Sequence, residues 1–149
     1  MTRIAESVSI QASLAEAWDH YFDPRGWPAW VDGFAQVVSS EGYPDRGGSL
    51  RWRTIPAGRG EVTERVLEHE PRQVHRISYE DPESTGELRS AFAIRGEGVE
   101  VTQELDYRLR RRGPFARAAD LFFIRSQMRG SMRRSLERLR LEVEELSQL

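Results

Sequence analysis

Residues Pro114 to Leu146 read PFARAADLFFIRSQMRGSMRRSLERLRLEVEEL, and the spacing of their apolar side chains decides the fold. Advancing the chain by about 100° per residue puts Leu121, Met128, Met132, Leu139, Val143 and Leu146 on one line, with Ile124 and Leu136 at its shoulders. The rest of the cylinder is mostly Arg, Glu and Gln. The pattern predicts one long helix with a narrow apolar stripe, which must lie across other structure to bury it. Arg125 interrupts the stripe about one turn from Leu121 and Met128. A guanidinium there must pair with an acid, run its stem toward a cavity mouth, or meet a ligand carboxylate. Ser135 also falls beside the stripe, where it would face a cavity.

What the helix covers is written upstream. Ile4 to Ile10 alternates as a first strand. Ser13 with Glu16 three residues later forms a capping box for a short helix from Leu14 to about Tyr21. Asp23-Pro24-Arg25-Gly26 ends it, and Gly26 to Val31 predicts a second helical turn with Pro28 near its start. Strand-like pieces follow at 34–40, 47–55, 60–68, 73–80, 87–95 and 99–109, the last two joined as a hairpin across Gly96-Glu97-Gly98. The fold class is α+β: seven antiparallel strands, two short helices after the first, and the long C-terminal helix. The 149 residues read as one domain, 1–149.

Alternation assigns strand faces. Val99, Val101, Gln103, Leu105, Tyr107 and Leu109 share an inner face. By the same logic Leu88, Ser90, Phe92 and Ile94 are inner, as are His75, Ile77 and Tyr79, and Leu50, Trp52 and Thr54. The piece 60–68 stays open, because Val62, Glu64 and Val66 alternate with Thr63, Arg65 and Leu67. A dry core would prefer Leu, Ile and Val. An apolar, aromatic wall with a few placed polar groups (Gln103, Ser90, Thr54, His75) favours a small-molecule cavity between sheet and helix over a solid core. Candidate ligand-binding residues are Trp30, Trp52, Tyr79, Phe92, Gln103, Tyr107, Arg125, Met128 and Met132. The two methionines serve equally as adaptable pocket walls or core filler.

Composition excludes much chemistry. The chain has no Cys, Lys or Asn, and all 22 basic residues are Arg. Thiolate nucleophiles, disulfides and lysine Schiff bases are ruled out. The net charge of −2 gives no global nucleic-acid signature. Residues 110–149 carry +5 and residues 1–109 carry −7, which reads as a solvated Arg-rich helix face near an acidic sheet rim, or as an anionic partner near Arg110, Arg111 and Arg112. No apolar run reaches transmembrane length and no signal-peptide segment opens the chain, so a cytoplasmic protein without stable membrane insertion is expected.

The whole chain resembles the START/Bet v1-like superfamily with its helix-grip fold, and within it the bacterial polyketide cyclase/dehydrase-like family. Soft patterns carry the resemblance jointly: Ser13-Leu14-Ala15-Glu16-Ala17-Trp18, Trp27-Pro28-Ala29-Trp30, Glu64-Arg65-Val66-Leu67-Glu68-His69-Glu70-Pro71, and Leu136-Glu137-Arg138-Leu139-Arg140 with its acidic tail. The resemblance implies a curved sheet wrapped around the last helix and a deep cavity with its mouth framed by the short helices and hairpin loops. Members bind lipids, sterols, polyketides or plant hormones, and some guide cyclisation and dehydration of a poly-β-keto chain. Others serve as chaperone partners.

No phosphate-binding loop is present, and Gly96-Glu97-Gly98 lacks the third glycine of a dinucleotide fingerprint. His20, His69 and His75 lack metal-ligand spacing. Neither a cofactor nor a metal is therefore expected. His75 is the one histidine that periodicity points inward, either satisfied by a backbone or tyrosine partner or acting as a general acid or base. Tyr79 and Tyr107 either donate a hydrogen bond to a substrate oxygen or pack with the hydroxyl tied elsewhere, and His75, Tyr79 and Arg125 form the candidate catalytic set. Trp27, Trp30 and Phe34 either gate the pocket or anchor the short helices. Phe122 and Phe123 lie off the stripe and mark a surface for a homodimer or a covering loop. Three readings follow: binding of a hydrophobic or aromatic small molecule, aldol cyclisation and dehydration of a polyketide, and a protein-interaction module.

Overall fold

The structure, a computed structural model, describes residues 2–58, 60–110 and 117–149. In chain order the elements are β1 (Thr2–Ile10), α1 (Leu14–Tyr21), a 3-10 turn (Pro24–Gly26), α2 (Trp27–Trp30), β2 (Phe34–Glu41), β3 (Ser49–Thr54), β4 (Glu61–Glu70), β5 (Val74–Glu80), β6 (Ser84–Arg95), β7 (Gly98–Leu109) and α3 (Ala118–Ser147). The strands form one antiparallel sheet in the order β1-β7-β6-β5-β4-β3-β2. A meander from β2 to β7, closed by β1 beside β7, curves around α3 in the helix-grip arrangement.

Local chemistry starts each element. The Ser13 hydroxyl accepts from the Glu16 N–H at 3.1 Å while the Glu16 carboxylate accepts from the Ser13 N–H, so the box caps α1. Those bonds hold the Glu16 carboxyl below its ordinary range. Asp23 caps the 3-10 turn through the Arg25 N–H. The β6–β7 hairpin closes on Gly96 and Glu97, with Gly96 at φ 60°, a conformation that favours glycine.

Alternation holds along the inner face: Val99, Val101, Gln103, Leu105 and Tyr107 are all buried, as are His75, Ile77 and Tyr79 and Leu50, Trp52 and Thr54. Ile94 is a correction. At the tip of the β6–β7 hairpin it passes beyond the covering helices and is 65% exposed. The open strand face is settled in β4, where Val62 and Val66 are buried and Glu64 lines the interior. Past Val66 the pairing shifts, so that Val66 faces Ile77 but Glu68 faces Arg76. Leu67 is the extra residue of this β-bulge, and it turns His69 to the inner face opposite His75.

The expected helix start at Pro114 lies outside the described residues, and α3 runs from Ala118. Its buried side chains are Met132, Leu136, Leu139 and Val143, and each contributes about 1.5–3 kcal/mol by leaving water. Leu121 and Leu146, expected on the stripe, are 42% and 49% exposed. Thirty residues of helix span about 45 Å, so its ends overshoot the sheet.

α3 seats on the β1 side and against the short helices. Arg129 and Arg133 pair with Glu6 of β1, and the Glu144 carboxylate accepts the Gln11 N–H at 2.9 Å. Asp32, in the turn after α2, ties that turn to the helix. Its carboxylate accepts from Ser131 at 2.7 Å and pairs with Arg134 and Arg138, while its N–H donates to the Ser135 hydroxyl. The helix arginines are thus spent largely on acids of the N-terminal third. With α3 held to one side, the concave face over β3 to β6 remains uncovered by it, and a cavity results.

Candidate ligand cavity

The cavity has a volume of about 440 Å³ and lies between α2, the meander strands and the first half of α3. Trp27, Trp30, Phe34, Tyr43, Trp52 and Tyr79 supply aromatic walls, and Leu50, Val62, Ile77, Leu88, Leu105, Met128 and Met132 add aliphatic surface. The exposed lining residues Gly58, Glu83 and Gln127 mark its way out, between the β3–β4 and β5–β6 connections and α3. Phe122 and Phe123, 72% and 63% exposed, follow the same helix turn.

Polar groups on the wall are mostly committed. The Trp52 indole N–H donates to Glu64 at 2.8 Å. Gln103 donates to the Tyr21 hydroxyl at 2.9 Å, and that hydroxyl lies 2.6 Å from Ser90 Oγ. Burial raises the Tyr21 hydroxyl above its ordinary pKa, and burial with Glu64 nearby pushes Tyr43 well above its own. The Tyr79 hydroxyl is 3.0 Å from Ser84 Oγ, and the Ser84 N–H is anchored on Asp81.

Among the described residues, two lining residues hold buried nitrogens without a hydrogen-bond partner, Trp30 Nε1 and His75 Nε2. The other His75 nitrogen, Nδ1, sits 2.9 Å from His69 Nδ1. Burial first, and His69 second, lower the His75 pKa to about 3, so the ring is neutral at physiological pH. Burial also lowers His69, against the opposing pull of Asp45 and Glu70. Among the described residues no cluster of His, Asp and Glu is arranged to hold a metal ion.

Of the residues singled out in the sequence, Trp30, Trp52, Tyr79, Gln103, Met128, Met132 and His75 meet around this space. Phe92 does not line it, because Trp18, Tyr21 and Phe22 cover its ring under α1. Tyr107 is buried between Thr2 and Gly86 on the neighbouring strands, outside the lining. Arg125 is also off the wall. The cavity-facing arc of α3 runs through Ile124, Gln127, Met128, Ser131, Met132 and Ser135, and Arg125 projects about 20° past Met132, on the side of Leu136 and Val143. Its Nε is buried without a hydrogen-bond partner among the described residues. Tyr21, Tyr43, Gln127 and Ser131 line the cavity although the strand pattern does not single them out. Arg110 donates to the Asp81 carbonyl at 3.0 Å, whereas Arg111 and Arg112 lie outside the described residues.

A family profile described as "Polyketide cyclase / dehydrase and lipid transport" matches residues 1–144. The chain belongs to this polyketide cyclase/dehydrase and lipid transport family. A protein from Thermus thermophilus is similar in structure at 20% identity, with 98% of this chain and 99% of that one covered and a TM-score of 0.73. Norcoclaurine synthase from Thalictrum flavum, in truncated form, superposes at 12% identity over 95% of this chain and 92% of its own, with a TM-score of 0.69. The Aha1 dimer from Colwellia psychrerythraea matches at 12% identity over 97% of each chain, TM-score 0.69. At these identities the likeness shows the Bet v1-like fold. No curated protein sequence matches the chain significantly. No helix among the described residues is long and apolar enough to cross a membrane. The family and fold are consistent with a ligand-binding or polyketide cyclase-like role.

Proposed function

We propose that this protein binds one small, largely apolar or aromatic molecule, lipid or polyketide-like, in the cavity between sheet and α3, acting as a single domain in the cytoplasm. The observation that carries this reading is an aromatic cavity whose lining includes Trp30 and His75, each with a buried nitrogen (Nε1 and Nε2) that has no hydrogen-bond partner among the described residues. A buried donor without a partner costs about 1–3 kcal/mol, and a ligand oxygen removes that penalty while the ring walls bury its apolar body. Native mass spectrometry of gently purified protein checks it. A co-purified adduct, or a thermal shift with members of an apolar and aromatic compound library, is expected. A clean apo mass with no shift from any compound contradicts it.

The second reading is catalysis, in which the cavity folds a poly-β-keto chain and His75 serves in aldol closure and dehydration. The unpartnered His75 Nε2 favours it. Of the other two candidates, the Tyr79 hydroxyl is engaged with Ser84 and Arg125 stands off the wall, so His75 is the residue whose replacement by Gln tests turnover. A homodimer through Leu121, Phe122 and Phe123 is a further expectation, checked by sedimentation of the wild type against Phe122→Ser.

A further inference from the structure

Two features of β4 beside the cavity have no role in holding an apolar ligand: the bulge at Leu67 and the histidine that it turns inward. The bulge places His69 directly across from His75, with the rings perpendicular at 87° and their Nδ1 atoms 2.9 Å apart. At that separation the two nitrogens share one proton: one ring donates from Nδ1 and the other accepts there. Each arrangement dictates the far nitrogens. When His69 donates, neutral His75 carries its own proton on Nε2, as a donor on a ring that lines the cavity. When His75 donates, its Nε2 is bare and presents a base.

We propose that His69 and His75 form a neutral proton relay between solvent and the molecule bound in the cavity, with His75 Nε2 as the terminal that meets the ligand. The proton count balances without a charged ring at rest. A proton from water arrives at His69 Nε2, the shared proton crosses from His69 Nδ1 to His75 Nδ1, and the His75 Nε2 proton leaves to a ligand oxygen. The reverse sequence takes a proton from the ligand and releases one at His69, restoring the first arrangement. A ligand with an exchangeable O–H or an enolisable carbonyl is the chemistry such a terminal serves.

The surroundings fit the two ends. His75 is 3% exposed and its Nε2 is buried without a partner among the described residues. Phe22 and Tyr43 stack edge-on against it, an apolar shell that disfavours an imidazolium. His69 is half-buried against Trp18 and Phe22, and Asp45 and Glu70 are the charges that act on it, so transient positive charge belongs at the solvent end. The relay rests on the ligand-binding reading of the cavity.

Heteronuclear NMR of the histidine ring nitrogens in the full-length protein tests it. In the wild type a nitrogen–nitrogen coupling between the two Nδ1 atoms is expected, with both rings neutral at physiological pH. His69→Gln should abolish that coupling and slow exchange of the His75 Nε2 proton with water, while the protein still binds N-phenyl-1-naphthylamine. His69→Phe, which keeps an aromatic ring at the site, should do the same. Two Nε2-protonated rings without coupling overturn the relay, as does exchange at His75 that is unchanged in both variants. Failure of the wild type to bind the naphthylamine counts instead against the cavity reading.

Discussion

At His75 a single imidazole couples the cavity to stability. Burial keeps the ring neutral down to a pKa of about 3, whereas in the unfolded chain it protonates near pH 6.5. The unfolded state therefore binds the extra proton first as pH falls. Stability from this group is intact above about pH 6.5 and drains away toward pH 3, by up to about 1.4 kcal/mol per pH unit. Urea unfolding at a series of pH values should show a steep acid limb in the wild type and a shallower one in His75→Gln; parallel limbs would refute the assignment. Alternation within β5 and β7 leads from the sequence to His75 and Gln103. It fails for His69, because a bulge resets the register and nothing in the identity of Leu67 announces it. Tyr43 sits in a connection with no period to read, and Tyr21 looks like a helix anchor until the Gln103 and Ser90 contacts are seen.

At the scale of elements, Asp32 and α3 hold the cavity open. Burial pushes the Asp32 carboxyl up, but hydrogen bonds from Arg134 and Ser131 together with the charges of Arg134 and Arg138 outweigh it and hold the carboxyl below its ordinary range. Its stabilisation is thus present above about pH 4 and lost as pH falls through the lowered value. Asp32→Ala removes two partly exposed ion pairs and one hydrogen bond, together about 1–2 kcal/mol. Scanning calorimetry at neutral pH should record a Tm lower by about 2–8 °C. Leu139, fully buried on α3, is a core position, and Leu139→Ala should cost about 2–5 kcal/mol in urea titration. The helix was readable from its stripe because one face meets the sheet over many turns. Its roll was not, since Gln127, Ser131 and Ser135 face the cavity as polar residues and Arg125 takes the flank beside the core. Periodicity locates the apolar line but carries no record of where the sheet leaves a gap.

At the scale of the molecule, antiparallel order and the final helix follow from alternation and turn residues, and the family profile agrees along the chain. The cavity depends on where α3 is fastened. Glu6 and Asp32 draw its arginines to the β1 side and to the α2 turn, and the uncovered strands keep their aromatic side chains around about 440 Å³ of space. Met128 points into that space from the helix. Met128→Trp adds a ring where the account places the ligand, and circular dichroism should show an unchanged fold. The decisive measurement is a fluorescence titration of both proteins with N-phenyl-1-naphthylamine. Saturable one-to-one binding by the wild type and its loss in Met128→Trp is the predicted result; no binding by the wild type, or equal binding by both, would contradict a ligand cavity between sheet and helix.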